Sequence, residues 1–589
     1  MDIQGAFDNA LYSTILDSMV KNNIKPKLVK WFEQFLYSRT AKIDFSGTCA
    51  KYLLKRGCPQ GGVLSPFIWN LNFESFIKTL DKGPINVLCF ADDSALYIKG
   101  VDPPMMVILM QDAINAAVEW GNKHGLKFVP SKTEAIFFYG SYNRKYKEPT
   151  KLKVDGVPIT YSKSVKFLGL TLDHHLNWNQ HIENKINKSR ALFMKIRNAI
   201  GSLWGPSPRA LKWAINGIVI PTLTYGSVVW AHRAVQKYTP KLRKLNRLLA
   251  LSLMPVRKST PTQGLEVILY QKPIHISIEE LALNAMLRVM PHVNPKHGEK
   301  PYFGHVQWGM KKLHQIGISE TEFDKTDSLN LSRNFKVDLD SLKSGIPVRN
   351  NDTLCFTDGS KLQNHAGYGW IVTKGLMEEA CDNGYLGTAQ TVFQAEITAI
   401  KECCEYLLLG HYKNVTIFSD SQAAILALLS PRIRQKSVKN CIDKLNELAI
   451  SSKVTIKWVK AHADHTGNEI ADEQAKLGTT NKANKVVVYP PISWAKAKIA
   501  EACNNQWESE WVHYEEARQT KFWFHRPNKR NSNSLIRLPR IELGLAVQMI
   551  TGHNRLRYHQ SKIDPEGIDP TCRWCLGPDE TSWHIIGDC

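Results

Sequence analysis

Leu354-Cys355-Phe356-Thr357-Asp358-Gly359-Ser360-Lys361 is the stretch that decides the fold. An apolar run entering Asp-Gly-Ser reads as a strand that ends at Asp358 and turns. A second strand, Gly367 to Thr373, follows after a few polar residues, so the segment opens as a hairpin. From Thr391 to Leu409 the residues Phe393, Ile397, Ile400, Cys404 and Leu407 recur at helical spacing. Glu396 lies on or beside that stripe, where a carboxylate is costly unless it is paired or binds a metal. Val415-Thr416-Ile417-Phe418-Ser419 reads as a strand ending at Asp420, followed by a helix from Ala423 to Leu429. A helix near Val438 to Ile450, a strand from Val454 to Val459, and a helix opened by Gly467-Asn468-Glu469-Ile470-Ala471-Asp472 complete an α/β domain. Gly478 suits the position just past that helix.

Asp358 and Asp420 each follow an apolar strand, and open α/β sheets place their sites at the carboxyl ends of strands. With Glu396 and Asp472 they make four carboxylates on four separate elements that one sheet could bring together. Hard oxygen ligands suit Mg²⁺ or Mn²⁺. Two such ions about 3.5–4 Å apart activate water and steady the leaving oxygen of a phosphodiester. His462, in the loop before the last carboxylate, is of the type that shuttles protons near neutral pH. Taken singly, an Asp after a strand is usually a turn residue and a loop His is usually just exposed. The joint order carries the argument. This stretch resembles a ribonuclease H domain, with Thr-Asp-Gly-Ser, the helix Glu, Ser-Asp-Ser, Val-Lys-Ala-His and Gly-Asn-Glu-x-Ala-Asp in sequence. The resemblance implies cleavage of the RNA strand of an RNA–DNA hybrid. Asp358, Glu396, Asp420 and Asp472 would hold the metals and His462 would assist proton transfer. Between Leu429 and Val438 stands only Ser-Pro-Arg-Ile-Arg-Gln-Lys-Ser, too short for the basic, Trp-rich protrusion that some members carry.

The 589 residues allow roughly three or four domains. The formal charge of +22 and pI near 9.3 point to a polyanionic partner, nucleic acid first. The twelve cysteines are scattered apart from a C-terminal group. No secretory signal opens the chain and no run of about 20 apolar residues occurs. A reducing compartment, nucleus or cytoplasm, is therefore expected, with no membrane partner.

The chain begins Met1-Asp2-Ile3-Gln4-Gly5-Ala6-Phe7-Asp8. Arg56 to Pro66 reads as a Gly-rich turn feeding a helix from Phe67 to Leu80, with Ser65 at the N-cap and Pro66 at N1. Val87 to Phe90 and Ser94 to Ile98 form a hairpin with Ala91-Asp92-Asp93 at its tip. Asp-x-x-x-x-Phe-Asp, then Gly-x-Pro-Gln-Gly, then Phe-Ala-Asp-Asp resembles the palm of a reverse transcriptase, most closely those of non-LTR retrotransposons. The resemblance implies that Asp2 and Asp92, with Asp93 adjacent, hold two Mg²⁺ ions. Phe7 would exclude a ribose 2′-OH, Gln60 would line the nucleotide site, and Lys132 and Lys166-Phe167-Leu168-Gly169 match the next motifs. The template would be RNA and the primer DNA. A fingers subdomain before Asp2 is expected to be absent.

From Asp173 to about Val293 the chain reads as basic helices, among them Ile182 to Ile200 and Lys241 to Leu253, that resemble a thumb. His297 to Asn350 reads as a linker. After Gly478, Trp507, Trp511, Phe522, Trp523 and Phe524 could stack on bases, although buried packing is the commoner role of such residues. At the end, Cys572-x2-Cys575-x8-His584-x4-Cys589 has the spacing of a Zn²⁺ site and resembles the terminal zinc motif of some non-LTR elements. Unrelated thiols are the competing reading. The expected architecture is thus an α/β and α+β multidomain chain. It has a palm over 1–172, a helical thumb over 173–296 and a linker over 297–350. A ribonuclease H domain spans 351–480 and a basic, aromatic region 481–589, with the zinc motif at 572–589. The competing functions are a silent nucleic-acid-binding relic or, within a longer chain, a competent polymerase.

Overall fold

Gln363 and Asn364, at φ 47° and 68°, turn the chain between two ten-residue strands, Thr353–Leu362 and His365–Lys374. Two consecutive left-handed residues suit a tight antiparallel hairpin. The first strand therefore does not stop at Asp358 as expected; it runs on through Gly359 and Ser360, with Asp358 opposite Gly369. The computed structural model describes residues 1–589 except 82, 140–148, 199–204, 293–303, 320–321, 331, 340–351, 376 and 461–464. These residues divide into two compact units, Met1–Asn187 and Lys188–Cys589.

In the second unit the hairpin belongs to a six-stranded sheet. Its strands are β1 (Lys336–Asp338), β2 (Thr353–Leu362), β3 (His365–Lys374), β4 (Met377–Gly387), β5 (Asn414–Ser419) and β6 (Lys453–Trp458). The order across the sheet is β1-β6-β5-β2-β3-β4, parallel from β1 to β2 and antiparallel beyond. Four helices follow the strands: α1 (Val392–Leu407), α2 (Gln422–Leu429), α3 (Lys436–Ser451) and α4 (Thr466–Gly478). Cys355, Ile417 and Ile456 on the strands, with Ile400, Cys404 and Leu407 on α1 and Leu445 on α3, build its main core. Phe356, Ile371, Phe418 and Ala471 form a smaller cluster.

Three expectations change here. Strand β4 was not foreseen, because the outer half of this edge strand is largely exposed and lacks an apolar run. Gly478 is the last helical residue, not a left-handed residue beyond it. A Cβ there would meet the Tyr368 carbonyl oxygen at 2.6 Å, so close packing of α4 on β3 and β4 is what requires glycine. The stretch read as linker supplies part of the domain. β1 extends the sheet, and Ser328–Leu329 pairs with Arg432–Ile433. Asp324, 5% exposed, accepts hydrogen bonds from Gln394 Nε2 on α1 and from the amide and hydroxyl of Ser437 on α3.

Helices between Pro208 and Gln315 form a second core, and the C-terminal helices complete it. These are α5 (Ile492–Val512), α6 (Arg518–Trp523), α7 (Lys529–Leu535) and α8 (Arg540–Thr551). Trp507 on α5 packs on Tyr270 with centroids 5.2 Å apart, Ser532 Oγ donates to the Val267 carbonyl, and Gln548 Nε2 donates to the Pro255 carbonyl. Trp507, Trp511 and Phe524 are buried, so packing is their role; Phe522 and Trp523 are exposed. Of the expected basic helices, one runs Asn179–Asn198 and the other Thr239–Leu251.

The first unit packs Trp69, Phe73 and Phe76 of the helix Ser65–Leu80 against Trp120 and Phe128. Ser65 is the first helical residue rather than the cap, and Pro66 the second, because the Ser65 hydroxyl turns to the Pro59 carbonyl. The hairpin Asn86–Phe90 with Asp93–Tyr97 forms as expected. Among the described residues no single helix is long and apolar enough to cross a membrane.

Candidate active site

Parallel pairing of β2 with β5 sets Thr357 opposite Ser419, and Thr357 Oγ1 donates to the Phe418 carbonyl at 3.1 Å. That register places Asp358, within β2, beside Asp420, one residue past the end of β5. A capping box of Thr391 and Gln394 starts α1. Glu396 then lies at its first turn, two residues from the Asp324 anchor at Gln394. Gly359 makes the approach possible: a Cβ there would sit 2.4 Å from the Glu396 amide nitrogen. Trp458 Nε1 donates to the Asp420 carbonyl at 3.0 Å, which fixes the start of the loop after β5.

One ligand oxygen from each of Asp358, Glu396 and Asp420 lies within 4.8 Å of the others. Asp358 and Glu396 are buried, and Glu396 Oε2 has no hydrogen-bond partner among the described residues. Burial and the Asp420 charge push the Asp358 carboxyl up to about 7. Burial, then the Asp358 and Asp420 charges, push Glu396 up to about 10. Two buried carboxyls and a half-buried third, crowded together with an orphaned oxygen, are the environment that a divalent cation relieves. Asp472 on α4 neighbours Asp358 and adds to its upward push. It stands outside the 4.8 Å group, and its Oδ2 accepts from Lys476 Nζ at 2.6 Å. His462 lies outside the described residues. Sequence alone gives no role to Asn468, whose buried Oδ1 has no partner among the described residues, or to the Gly359 amide, which faces both Asp358 and Glu396. Both sit inside quoted motif pieces, but only burial distinguishes them.

In the first unit, Ile3 bridges to Phe128 and the Val129 amide donates to the Asp2 carbonyl, so Asp2 is held by backbone pairing. Asp92 is half-buried and Asp93 exposed at the hairpin tip, after Ala91 at φ 54°. Asp2, Asp92 and Asp93 do not gather into a three-ligand group like that of Asp358. Lys132 Nζ lies 3.2 Å from Asp2 Oδ2, an ion pair whose angle falls short of a hydrogen bond. Phe7 stacks on Trp69 at 4.8 Å, and Gln60 Nε2 donates to Asp8 Oδ1 at 2.8 Å.

At the C-terminal end Cys572, Cys575, His584 and Cys589 come together with ligand atoms within 4.8 Å. Cys575 Sγ is 3.1 Å from His584 Nε2, and Cys572 Sγ is 3.9 Å from Cys589 Sγ. A tetrahedron with ~2.3 Å metal–sulfur arms has an edge of about 3.8 Å, so the thiol pair fits such a cage. Burial opposes ionisation of Cys572, but the Cys575 and Trp574 amides and the Cys575 and His584 side chains draw its thiol down to about 6. Fully buried Glu580, unremarked in the motif, accepts from the Arg573 guanidinium and the Arg557 amide and braces the turn.

A family described as reverse transcriptase (RNA-dependent DNA polymerase) matches residues 1–172, and one described as RNase H matches 350–480. The chain is 25% identical over 289 residues to the 115 kDa protein in type-1 retrotransposable element R1DM of Drosophila melanogaster, covering 49% of this chain and 28% of that protein. It is 24% identical over 307 residues to the RNA-directed DNA polymerase from mobile element jockey of the same species, covering 50% and 32%. The chain therefore spans about a third or less of these curated relatives. Among solved structures, RNase H1 from Halobacterium salinarum NRC-1 is 21% identical, covers 22% of this chain and 98% of its own, and has a TM-score of 0.20. This chain carries a reverse transcriptase domain followed by an RNase H domain, and its homologues are R1 and jockey non-LTR retrotransposon polyproteins.

Proposed function

We propose that the protein cleaves the RNA strand of RNA–DNA hybrids at Asp358, Glu396, Asp420 and Asp472. The observation that carries this reading is the convergence of Asp358, Glu396 and Asp420 within 4.8 Å, with a buried, unpartnered oxygen on Glu396. These residues would hold Mg²⁺ or Mn²⁺, which when bound acidifies water and offsets phosphodiester charge. The chain's own part is placement: paired strands hold Asp358 and Asp420 in register, and the capped helix α1 brings in Glu396. Asp472, tethered by Lys476, flanks the site from α4. His462 would assist proton transfer. Purified protein incubated with a labelled hybrid and Mg²⁺ should cut the RNA strand, and Asp420→Asn should lower the rate at least ~100-fold. A folded protein that leaves the hybrid intact would overturn the reading.

For the first domain we propose RNA-directed DNA synthesis on an RNA template and DNA primer. Asp2 and Asp92, with Asp93 adjacent, would hold Mg²⁺, and Phe7, Gln60 and Lys132 would line the nucleotide. Backbone pairing of Asp2 with Val129, and hydrogen bonds that tie Met1 to Ser94 of the Asp92 hairpin, favour it. Primer extension that persists in Asp92→Asn would refute it. For the tail we propose that Cys572, Cys575, His584 and Cys589 bind Zn²⁺. Metal analysis should find one zinc per chain, lost in Cys575→Ser; equal zinc in the variant would exclude the site.

A further inference from the structure

Phe522 and Trp523 on α6 and Trp583 in the tail meet on the surface of the second unit. Phe522 lies 5.1 Å from Trp583 and 5.4 Å from Trp523, and Trp523 lies 6.1 Å from Trp583, between ring centroids. Their exposures are 57%, 40% and 53%, against 2% and 1% for Trp507 and Trp511 nearby in sequence. The same stretch therefore sorts its aromatic residues into a buried set and a displayed set. Display of large rings costs hydrophobic free energy, and a contiguous apolar patch of this kind marks a binding surface.

The display is held in place. Ser582 and His584 on either side of Trp583 are buried, at 2% and 5% exposure, so the Trp583 ring points out from an anchored backbone. Asn554 Nδ2 donates to Ser582 Oγ at 2.8 Å, and the His584 amide donates to Thr581 Oγ1 at 3.1 Å. On the other side, Trp511 Nε1 donates to the Phe524 carbonyl at 2.9 Å, which fixes the end of α6. A rigid aromatic group loses little freedom on meeting a ligand.

The charge of the stretch that carries α6 and α7 selects the partner. Residues 518–562 hold ten Lys and Arg and a single acid, Glu542. Arg526, Lys529, Arg530 and Arg537 are exposed, and the last three line an open groove along α7. Exposed rings for flat apolar surfaces and, within a few residues of α6 along the chain, exposed cations for phosphates suit a nucleic acid. A duplex hides its base faces in its own stack, whereas a single strand offers them. An anionic bilayer would call for a long amphipathic helix, and α6 has six residues.

We propose that Phe522, Trp523 and Trp583 form a stacking platform for the bases of a single-stranded nucleic acid, with the α7 groove taking its phosphates. The platform is separate from the carboxylates of the nuclease and does not depend on cleavage.

The test uses the full chain carrying Asp420→Asn, so that no strand is cut. Fluorescence anisotropy would measure its binding, at about 0.15 M salt, to a labelled DNA single strand of about 20 nucleotides. The same strand as duplex and an abasic strand of equal length serve as comparisons. Phe522→Ala, Trp523→Ala and Trp583→Ala should each weaken single-strand binding about tenfold and change duplex and abasic binding by less than about twofold. Trp583→Phe, which keeps a ring, should recover most of the loss. Zinc content unchanged in Trp583→Ala separates stacking from damage to the adjacent Cys/His group, and Phe522→Ala and Trp523→Ala avoid that group. Unchanged single-strand affinity in all three variants would overturn the platform, and so would equal losses on the abasic strand. Ring-dependent capture by phosphatidylserine vesicles without single-strand binding would overturn it in favour of a lipid surface. Hybrid cleavage by the unsubstituted protein is read separately, so failure of one does not imply failure of the other.

Discussion

Glu266, 3% exposed in the helix Thr262–Ile268, accepts a hydrogen bond from Asn246 Nδ2, and Gln271 Nε2 donates in turn to Asn246 Oδ1 at 3.2 Å. Burial pushes its carboxyl up to about 7, with the Asn246 hydrogen bond opposing. The fold thus keeps a proton that the unfolded chain releases near 4.5. Stability from this group is complete below the unfolded value and declines as pH rises through about 7. Glu266→Gln keeps the acceptor for Asn246 and removes the ionisation. Thermal melts should show the variant more stable than the parent at pH 8, by on the order of 3 kcal/mol, and equal to it at pH 4. A variant no more stable at pH 8 would mean that Glu266 is ionised in the fold at no cost. Glu396 suffers the same burial with the Gly359 amide as its one opposing donor, an oxygen left without a partner among the described residues, and two carboxyls as neighbours. A divalent cation would relieve that crowding, which is why one buried glutamate reads as structure and the other as a candidate ligand.

Elements meet at distances that four glycines permit. Cβ atoms at Gly359, Gly367, Gly369 and Gly467 would fall within 2.4 Å of α1, α4 or the Phe356 ring. The first is the sharpest case, since it separates β2 from the helix that carries Glu396. Gly359→Ala should push α1 outward, cost about 1–3 kcal/mol of stability, and lower hybrid cleavage more than ~10-fold while the protein stays folded. Full activity in that variant would show that Glu396 does not need this placement. Most elements of this domain were legible: α1, α2, α3, β5 and β6 follow from periodicity within a few residues. The misreadings share one cause. Asp-Gly-Ser is turn chemistry locally, yet β3 pairs with β2 through Leu362 and carries the strand on past Asp358, where the pairing with β5 ends at Thr357. β1 and β4 are short or exposed edge strands, whose pairing comes from a neighbour rather than from their own pattern.

Across the second unit, the C-terminal helices are not an appendage. Trp507 packs on Tyr270, and Glu510 takes His275 Nε2 at 3.0 Å and Arg243 at 3.2 Å, so α5 closes the core of helices between Pro208 and Gln315. The sheet domain, by contrast, is closed by Tyr489, whose carbonyl accepts from Gln394 Nε2. A chain ended at Pro490 should therefore keep a protease-resistant sheet domain and expose the helices to rapid digestion, since burial of one Trp alone is worth about 3–5 kcal/mol. Helices that resist protease equally in both forms would refute this closure.

The sequence by itself determined the order of domains and the candidate ligands, because motif residues at strand ends, helix starts and Cys/His spacings are local facts. It also determined the basic character that calls for nucleic acid, which needs only counting. Tertiary structure alone decided which carboxyls converge, that Asp472 leans on Lys476, that the stretch before residue 350 adds a strand, and which aromatic rings are buried and which displayed. Those outcomes depend on burial and on contacts between residues far apart in the chain, and a local pattern carries no information about which partner will exclude water from it.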